Sequence, residues 1–270
     1  MSIPSISPTL ALDVAIRVAA IGFCVSAAEQ LVIRRVAFGA GGPFSETLAR
    51  VYGRGIASSR ILRWSFPITF WTNLLGGLLL VAFGAIAMVA VPALLLCLVG
   101  QAVVRQRRVL ASDGAEQMTT LIFVAALIGL IAPNSSVTII LAVWFIAAQA
   151  VLSYTAAGLT KLFAKKWRDG QAMPIIMGSE AHGRAFAARI LDSSVWFGRI
   201  ASWTIVAFEC TFWVALITPA PVTLAYLAIG FAFHVGCAAI MGLNTFVWAF
   251  PATYFCVFYA HQQIQIWMSH

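Results

Sequence analysis

Three ionisable side chains stand near or within otherwise apolar sequence, and their types suit proton transfer: Lys161, Glu209 and His234. A charge taken to the bilayer centre costs about 2.5 to 3.5 kcal/mol even on the lenient insertion scale, so such a group must be paired, neutral or facing a wet cavity. Glu209 falls near the middle of its apolar run. It reads either as a structural carboxyl bonded to a neighbouring helix or as a proton acceptor or substrate contact. His234 lies halfway along residues 222–244, and helical spacing puts Gly230, Cys237, Ala238 and Met241 on its side. A small-residue face of this kind admits a second helix or a flat ligand at close range. Lys161 shares a stripe with Tyr154, Ala157 and Gly158. It reads either as a lysine snorkelling to the membrane surface or as an amine turned into the bundle, where its neutral form could act as a base. His234 and Cys237 are three residues apart, which alone is too little for a metal site, so no metal is expected.

The elements that must hold these groups follow from composition. Of 270 residues 61% are hydrophobic and only 10% charged, against roughly 25% charged in a soluble domain. That excludes a disordered chain, a disulfide scaffold and an ordinary cytosolic enzyme. The five cysteines at 24, 97, 210, 237 and 256 all lie in apolar sequence with no CxxC pair, as buried small hydrophobes do. Residues 64–104, 117–160 and 210–270 carry no Asp, Glu, Lys or Arg, and each is long enough for two crossings of about 20 residues. Turns are expected at Pro92, at residues 133–136 and at residues 218–221. Flanking spans are expected at residues 10–28, containing Arg17, and 198–217, around Glu209. The predicted fold is an all-α, polytopic transmembrane helix bundle forming one domain over residues 1–270, with about seven spans and room for an eighth after Pro251.

The 17 Lys and Arg against 9 Asp and Glu give a net charge of +8. Because the basic residues gather between apolar runs, they point to anionic headgroups rather than to nucleic acid. Residues 30–66 carry Arg34, Arg35, Arg50, Arg54, Arg60 and Arg63; residues 105–118 carry Arg105, Arg107 and Arg108; residues 161–199 carry Lys161, Lys165, Lys166, Arg168, Arg184, Arg189 and Arg199. The turns near Pro92, Pro133 and Pro219 carry none. By the positive-inside rule this alternation predicts an amino terminus outside a bacterial cytoplasmic (inner) membrane and three cytoplasmic loops. The amino-terminal segment lacks the basic leader of a cleaved signal peptide. The loops at 39–66 and 165–197 contain amphipathic pieces such as AHGRAFAARILDSSVWFG, expected to lie on the membrane surface. The glycine-rich FGAGGPF at 38–44 lacks the lysine and serine of a phosphate loop and reads as a turn.

The segment SYTAAGLTKLFAKKWRDGQAM at 153–173 resembles the tyrosine, alanine-glycine, lysine-leucine, tryptophan and glycine signature shared by vitamin K-dependent gamma-glutamyl carboxylase and its bacterial HTTM-domain relatives. SDGAEQM at 112–118 resembles that family's aspartate-glycine segment, and FHVGCAAIMGLNTF at 233–246 resembles its histidine-bearing helix. The resemblance covers roughly residues 10–260. It implies that Lys161 is the catalytic base, with Glu209 and His234 as polar partners. Tyr154, Gly158, Cys237 and Met241 are then candidates for contact with a lipid-soluble reduced quinone, menaquinone or vitamin K-like. It further implies oxygen and carbon dioxide as cosubstrates and a peptide as the acceptor. The chain shows no counterpart of the carboxylase's large extramembrane region, so recognition of the peptide is expected to come from elsewhere. The family also includes sporulation-delaying-peptide maturation protein B type members. The alternative expectation is therefore a non-catalytic maturation or partner subunit for a secreted peptide or a membrane complex. A small-solute carrier would need a continuous polar path, for which the sequence offers few residues.

Overall fold

The computed structural model describes residues 4–39, 41–42, 44–45, 47, 51, 60–107, 113–132, 136–179 and 183–270. Among them there is no β-strand, and seven helical stretches are long and apolar enough to cross a membrane: Pro8–Ala37, Phe66–Phe83, Ala87–Gln106, Gly114–Ile131, Ser136–Phe163, Val195–Leu216 and Ala220–Met241. The protein is an all-α polytopic bundle with the lipid bilayer as its solvent. Its helices group into two compact units, Pro8–Ala142 and Val143–His270, the latter together with residues 4–7.

The first unit contains α1 (Pro8–Ala37), α2 (Arg60–Phe83), α3 (Ala87–Arg107), α4 (Gly114–Ile131) and the start of α5 (Ser136–Phe163). Two adjacent glycines in α2 let helices approach from both sides. A Cβ on Gly77 would lie 2.6 Å from the Cys24 sulfur of α1, and one on Gly76 would lie 2.7 Å from the Cys97 sulfur of α3. Both cysteines are free thiols filling helix seams.

The turn between α2 and α3 is displaced from its expected place. It falls at Gly84–Ile86, while Pro92 sits inside α3. Gly84 has φ +55°, a left-handed conformation that glycine adopts without steric penalty. The backbone groups left open by the turn are met by two charged residues of α1. Arg17 Nη1 donates to the carbonyls of Val81 at 2.7 Å and Ala82 at 2.9 Å, while Asp13 Oδ1 accepts from Ala85 N at 2.8 Å. Arg17 and Asp13 also pair with each other at 2.7 Å. Arg17 is thus a helix cap rather than a weakness in the first span.

At the other end of this unit Asp113 caps α4, accepting from Glu116 N at 2.7 Å in a capping-box spacing. Arg105 reaches Thr120 Oγ1 at 2.6 Å and lies 3.7 Å from the Glu116 carboxylate. Of the segment read as SDGAEQM, Ser112 lies outside the described residues. So do Pro133, Asn134 and Ser135 of the second expected turn, and half of the surface piece expected over residues 39–66.

In the second unit α5 continues to Phe163. Three short helices follow, α6 (Lys165–Arg168), α7 (Ala172–Met177) and α8 (Ala185–Asp192), and then α9 (Val195–Thr211) begins. Phe186, Arg189 and Ile190 of α8 are exposed while Ala187 is buried, the pattern of an amphipathic surface helix. A 3-10 turn, Phe212–Leu216, links α9 to α10 (Ala220–Met241), which closes at Gly242 with φ +73°. The short α11 (Phe246–Ala249) and a 3-10 turn at Pro251–Thr253 lead into α12 (Tyr254–Met268).

The region after Pro251 is helical, but α12 has 15 residues, about 22 Å, and falls short of a bilayer core of about 30 Å. Its first two turns are instead buried within the unit. There His261 Nδ1 lies 3.3 Å from both Thr223 Oγ1 and the Leu216 carbonyl. Gln262 ties down residues 4–7, accepting from Ile6 N at 2.8 Å and donating to the Pro4 carbonyl at 3.0 Å.

Candidate functional site

One face of α5 carries Tyr154, Gly158 and Lys161, at spacings i, i+4 and i+7, and each position has a distinct use. Gly158 is the contact point with α9. A Cβ there would sit 2.6 Å from the Cys210 backbone nitrogen and 2.9 Å from its sulfur, so only a glycine lets the two helices meet at this level. That approach brings Lys161, in the last turn of α5, onto Glu209.

The Lys161 ammonium donates to both carboxylate oxygens, at 2.6 and 2.8 Å. Glu209 is buried, its side chain only 6% exposed, and that of Lys161 is 22% exposed. The lysine therefore turns inward and does not snorkel. The Trp167 ring of α6 lies 5.4 Å from Nζ, within cation–π range.

Two turns back along the same face, Tyr154 is at the centre of a second group. Its hydroxyl lies 2.6 Å from His234 Nε2 on α10 and 2.8 Å from the Tyr254 hydroxyl on α12. Gly230 makes room for this, since a Cβ there would fall against the Tyr254 hydroxyl and 3.2 Å from Phe208. The Tyr154 ring stacks on Phe212 at 4.0 Å, and the imidazole of His234 stacks on Phe250 at 4.6 Å with 17° between planes. His234 is 2% exposed. Its Nδ1 is buried without a hydrogen-bond partner among the described residues.

The sequence-derived candidates are thus distributed unevenly. Lys161 and Glu209 are bonded to each other, and Tyr154 and His234 are bonded to each other. Gly158 acts through packing. Cys237 and Met241, further along α10, are partly exposed and do not join either hydrogen-bonded group. Two residues outside the expected set belong to it: Tyr254, from a stretch that carried no charge to mark it, and Trp167, present in the resembling segment but without an assigned role. Among the described residues no three His, Cys, Asp or Glu side chains gather in a metal-ligating cluster.

Fold and site together define a polytopic α-helical membrane protein whose second unit encloses a lysine–carboxylate pair and a tyrosine–histidine–tyrosine chain. No family model, no curated protein and no solved structure matches the chain.

Proposed function

We propose that this protein is a membrane-embedded enzyme of carboxylase-like or related oxidative chemistry that modifies a peptide, with Lys161 as its base. The observation that carries the reading is the inward, bidentate Lys161–Glu209 pair. Moving one proton across the 2.6 Å contact converts the ion pair into a neutral amine beside a neutral acid without changing net charge. The amine can then accept a proton from a reactant, and the new ammonium is balanced by the reactant's conjugate base formed beside it. Glu209 holds the amine in place and stores the displaced proton.

The residues also fit a lipid-soluble quinone. The unpartnered Nδ1 of His234 offers a hydrogen bond to a ring oxygen, and the aromatic rings around it suit a flat ligand. Bound there in reduced form, a menaquinone or vitamin K-like molecule would supply the reducing equivalents, with oxygen and carbon dioxide as cosubstrates. Tyr154 fixes the imidazole through Nε2 and, with the Tyr254 hydroxyl bonded to its own, forms a hydroxyl pair that can relay a proton. The aromatic packing keeps bulk water from this part of the site. The same reading places the protein in a bacterial inner membrane with its amino terminus outside, supported by the loop charges.

A second reading has a specific observation in its favour. Both carboxylate oxygens of Glu209 are taken up by Lys161, a closed pairing that also serves as a purely structural tie in a non-catalytic maturation subunit.

The deciding variant is Lys161→Met combined with Glu209→Gln, which removes both charges at nearly constant volume. Wild-type and variant proteins are reconstituted with reduced menaquinone, oxygen and carbon dioxide, and co-expressed peptides are weighed by mass spectrometry. The expected result is a gain of carbon dioxide or oxygen that falls by about 10²-fold or more in the variant. Undiminished modification by the folded variant would remove Lys161 as the base.

A further inference from the structure

We infer that Trp167 is a gate and positioning residue for Lys161, and that reactants reach the amine by displacing its indole from the side bearing α6. The inference rests on the site described above but not on the reaction assigned to it.

The chain geometry builds this lid deliberately. After Lys161 a single extended residue, Ala164 with ψ 119°, interrupts the helix, so that α6 starts in a new direction one turn later. Within α6 the Trp167 backbone amide donates to the Ala164 carbonyl at 3.1 Å, fixing the backbone that carries the indole relative to the end of α5. The far end of α6 is anchored as well. Gly170, at φ +78°, is so close to α9 that a Cβ on it would lie 2.6 Å from the Arg199 nitrogen. Gly198 in turn packs against the Gly170 carbonyl. Two glycines thus press the α6 elbow onto α9, the helix that also carries Glu209.

Lys161 is consequently held between two faces, a carboxylate that takes its hydrogens and an indole 5.4 Å above it. The neighbouring Lys165 and Lys166 are exposed, and Trp167 itself is only half-buried. The indole therefore borders solvent or headgroups on one side and the amine on the other, as a door would. A side chain of equal bulk but no π face would fill the space without the attraction to the cation.

The test needs no turnover. Purified full-length protein in lipid nanodiscs is treated with a small membrane-permeant amine reagent, and modification of Lys161, Lys165 and Lys166 is followed by peptide mass spectrometry. In the native protein Lys161 should react more slowly than both neighbours. In Trp167→Leu it should react about two- to five-fold faster, the scale of one cation–π contact, with Lys165 and Lys166 unchanged. Trp167→Phe should return it towards the native rate. Should the leucine variant not fold, Gly170→Ala provides the same displacement by forcing the elbow off α9, and should raise Lys161 labelling alone. The inference is overturned if Lys161 reacts as fast as Lys165 in the native protein. It is equally overturned if the folded variants leave the Lys161 rate unchanged, or if all three lysines accelerate together. An inactive enzyme with the expected labelling pattern would count against the proposed chemistry and leave the gate standing.

Discussion

The two units use the same residue types for opposite ends. In Pro8–Ala142 charged side chains reach the backbone as well as one another: Arg17, besides pairing with Asp13, binds the Val81 and Ala82 carbonyls, Asp13 also takes the Ala85 amide, and the exposed Asp113 takes the Glu116 amide. These are helix-end groups that a bilayer leaves without water, and the side chains replace it. In Val143–His270 the polar side chains address one another, Lys161 with Glu209 and Tyr154 with His234 and Tyr254. Side chain to side chain bonds are the minority in folded proteins, and here they cap no helix. The difference shows how to read a charge in a membrane helix. One that closes a backbone vacancy is explained by the fold, whereas a pair that satisfies only itself invites a chemical explanation.

Removing half of the self-satisfied pair is the strongest way to break this contrast. Lys161→Ala leaves the Glu209 carboxylate buried alone and should cost about 3 to 5 kcal/mol, while the neutral Lys161→Met, Glu209→Gln double variant should recover most of it. Thermal unfolding in detergent, run as a double-mutant cycle, checks both numbers. Equal losses in the single and double variants would deny the coupling.

Gly158→Ala comes next. The added methyl must push α5 from the Cys210 backbone, at about 1 to 3 kcal/mol, and the same melting assay reads it. Of similar size is Tyr154→Phe, which strips His234 Nε2 and the Tyr254 hydroxyl of their shared partner for about 1 to 3 kcal/mol. Its sharper readout is the imidazole nitrogen resonance of His234, which should move in Tyr154→Phe and stay put in a variant of the first unit such as Asp113→Ala.

Asp113→Ala is itself the smallest effect, about 1 kcal/mol for a lost helix cap. It should leave the reactivity of Lys161 untouched. A change in Lys161 labelling on removing Asp113 would erase the division of labour between the units.

Much of this arrangement was legible in advance, for reasons specific to membranes. A span must be about 20 apolar residues long, so the helices announced themselves. What could not be read was which polar groups would meet. The Lys161–Glu209 contact depends on Gly158 admitting Cys210 from 52 positions away, and a one-dimensional pattern carries no sign of it. Tyr254 was hidden by being an uncharged aromatic among others. Pro92 misled because a membrane helix tolerates an interior proline, here the sixth residue of α3. The actual turn depends on a left-handed glycine and on two charges of a different helix.

The placement of Tyr154, Gly158 and Lys161 along a single ridge makes α5 the ruler for everything around it. Inserting one residue between Tyr154 and Lys161 would swing the amine about 100° around the helix axis, so that either the phenol or the ammonium could face inward but not both. A substitution on this ridge disturbs one contact; an insertion or deletion within it disturbs both groups at once.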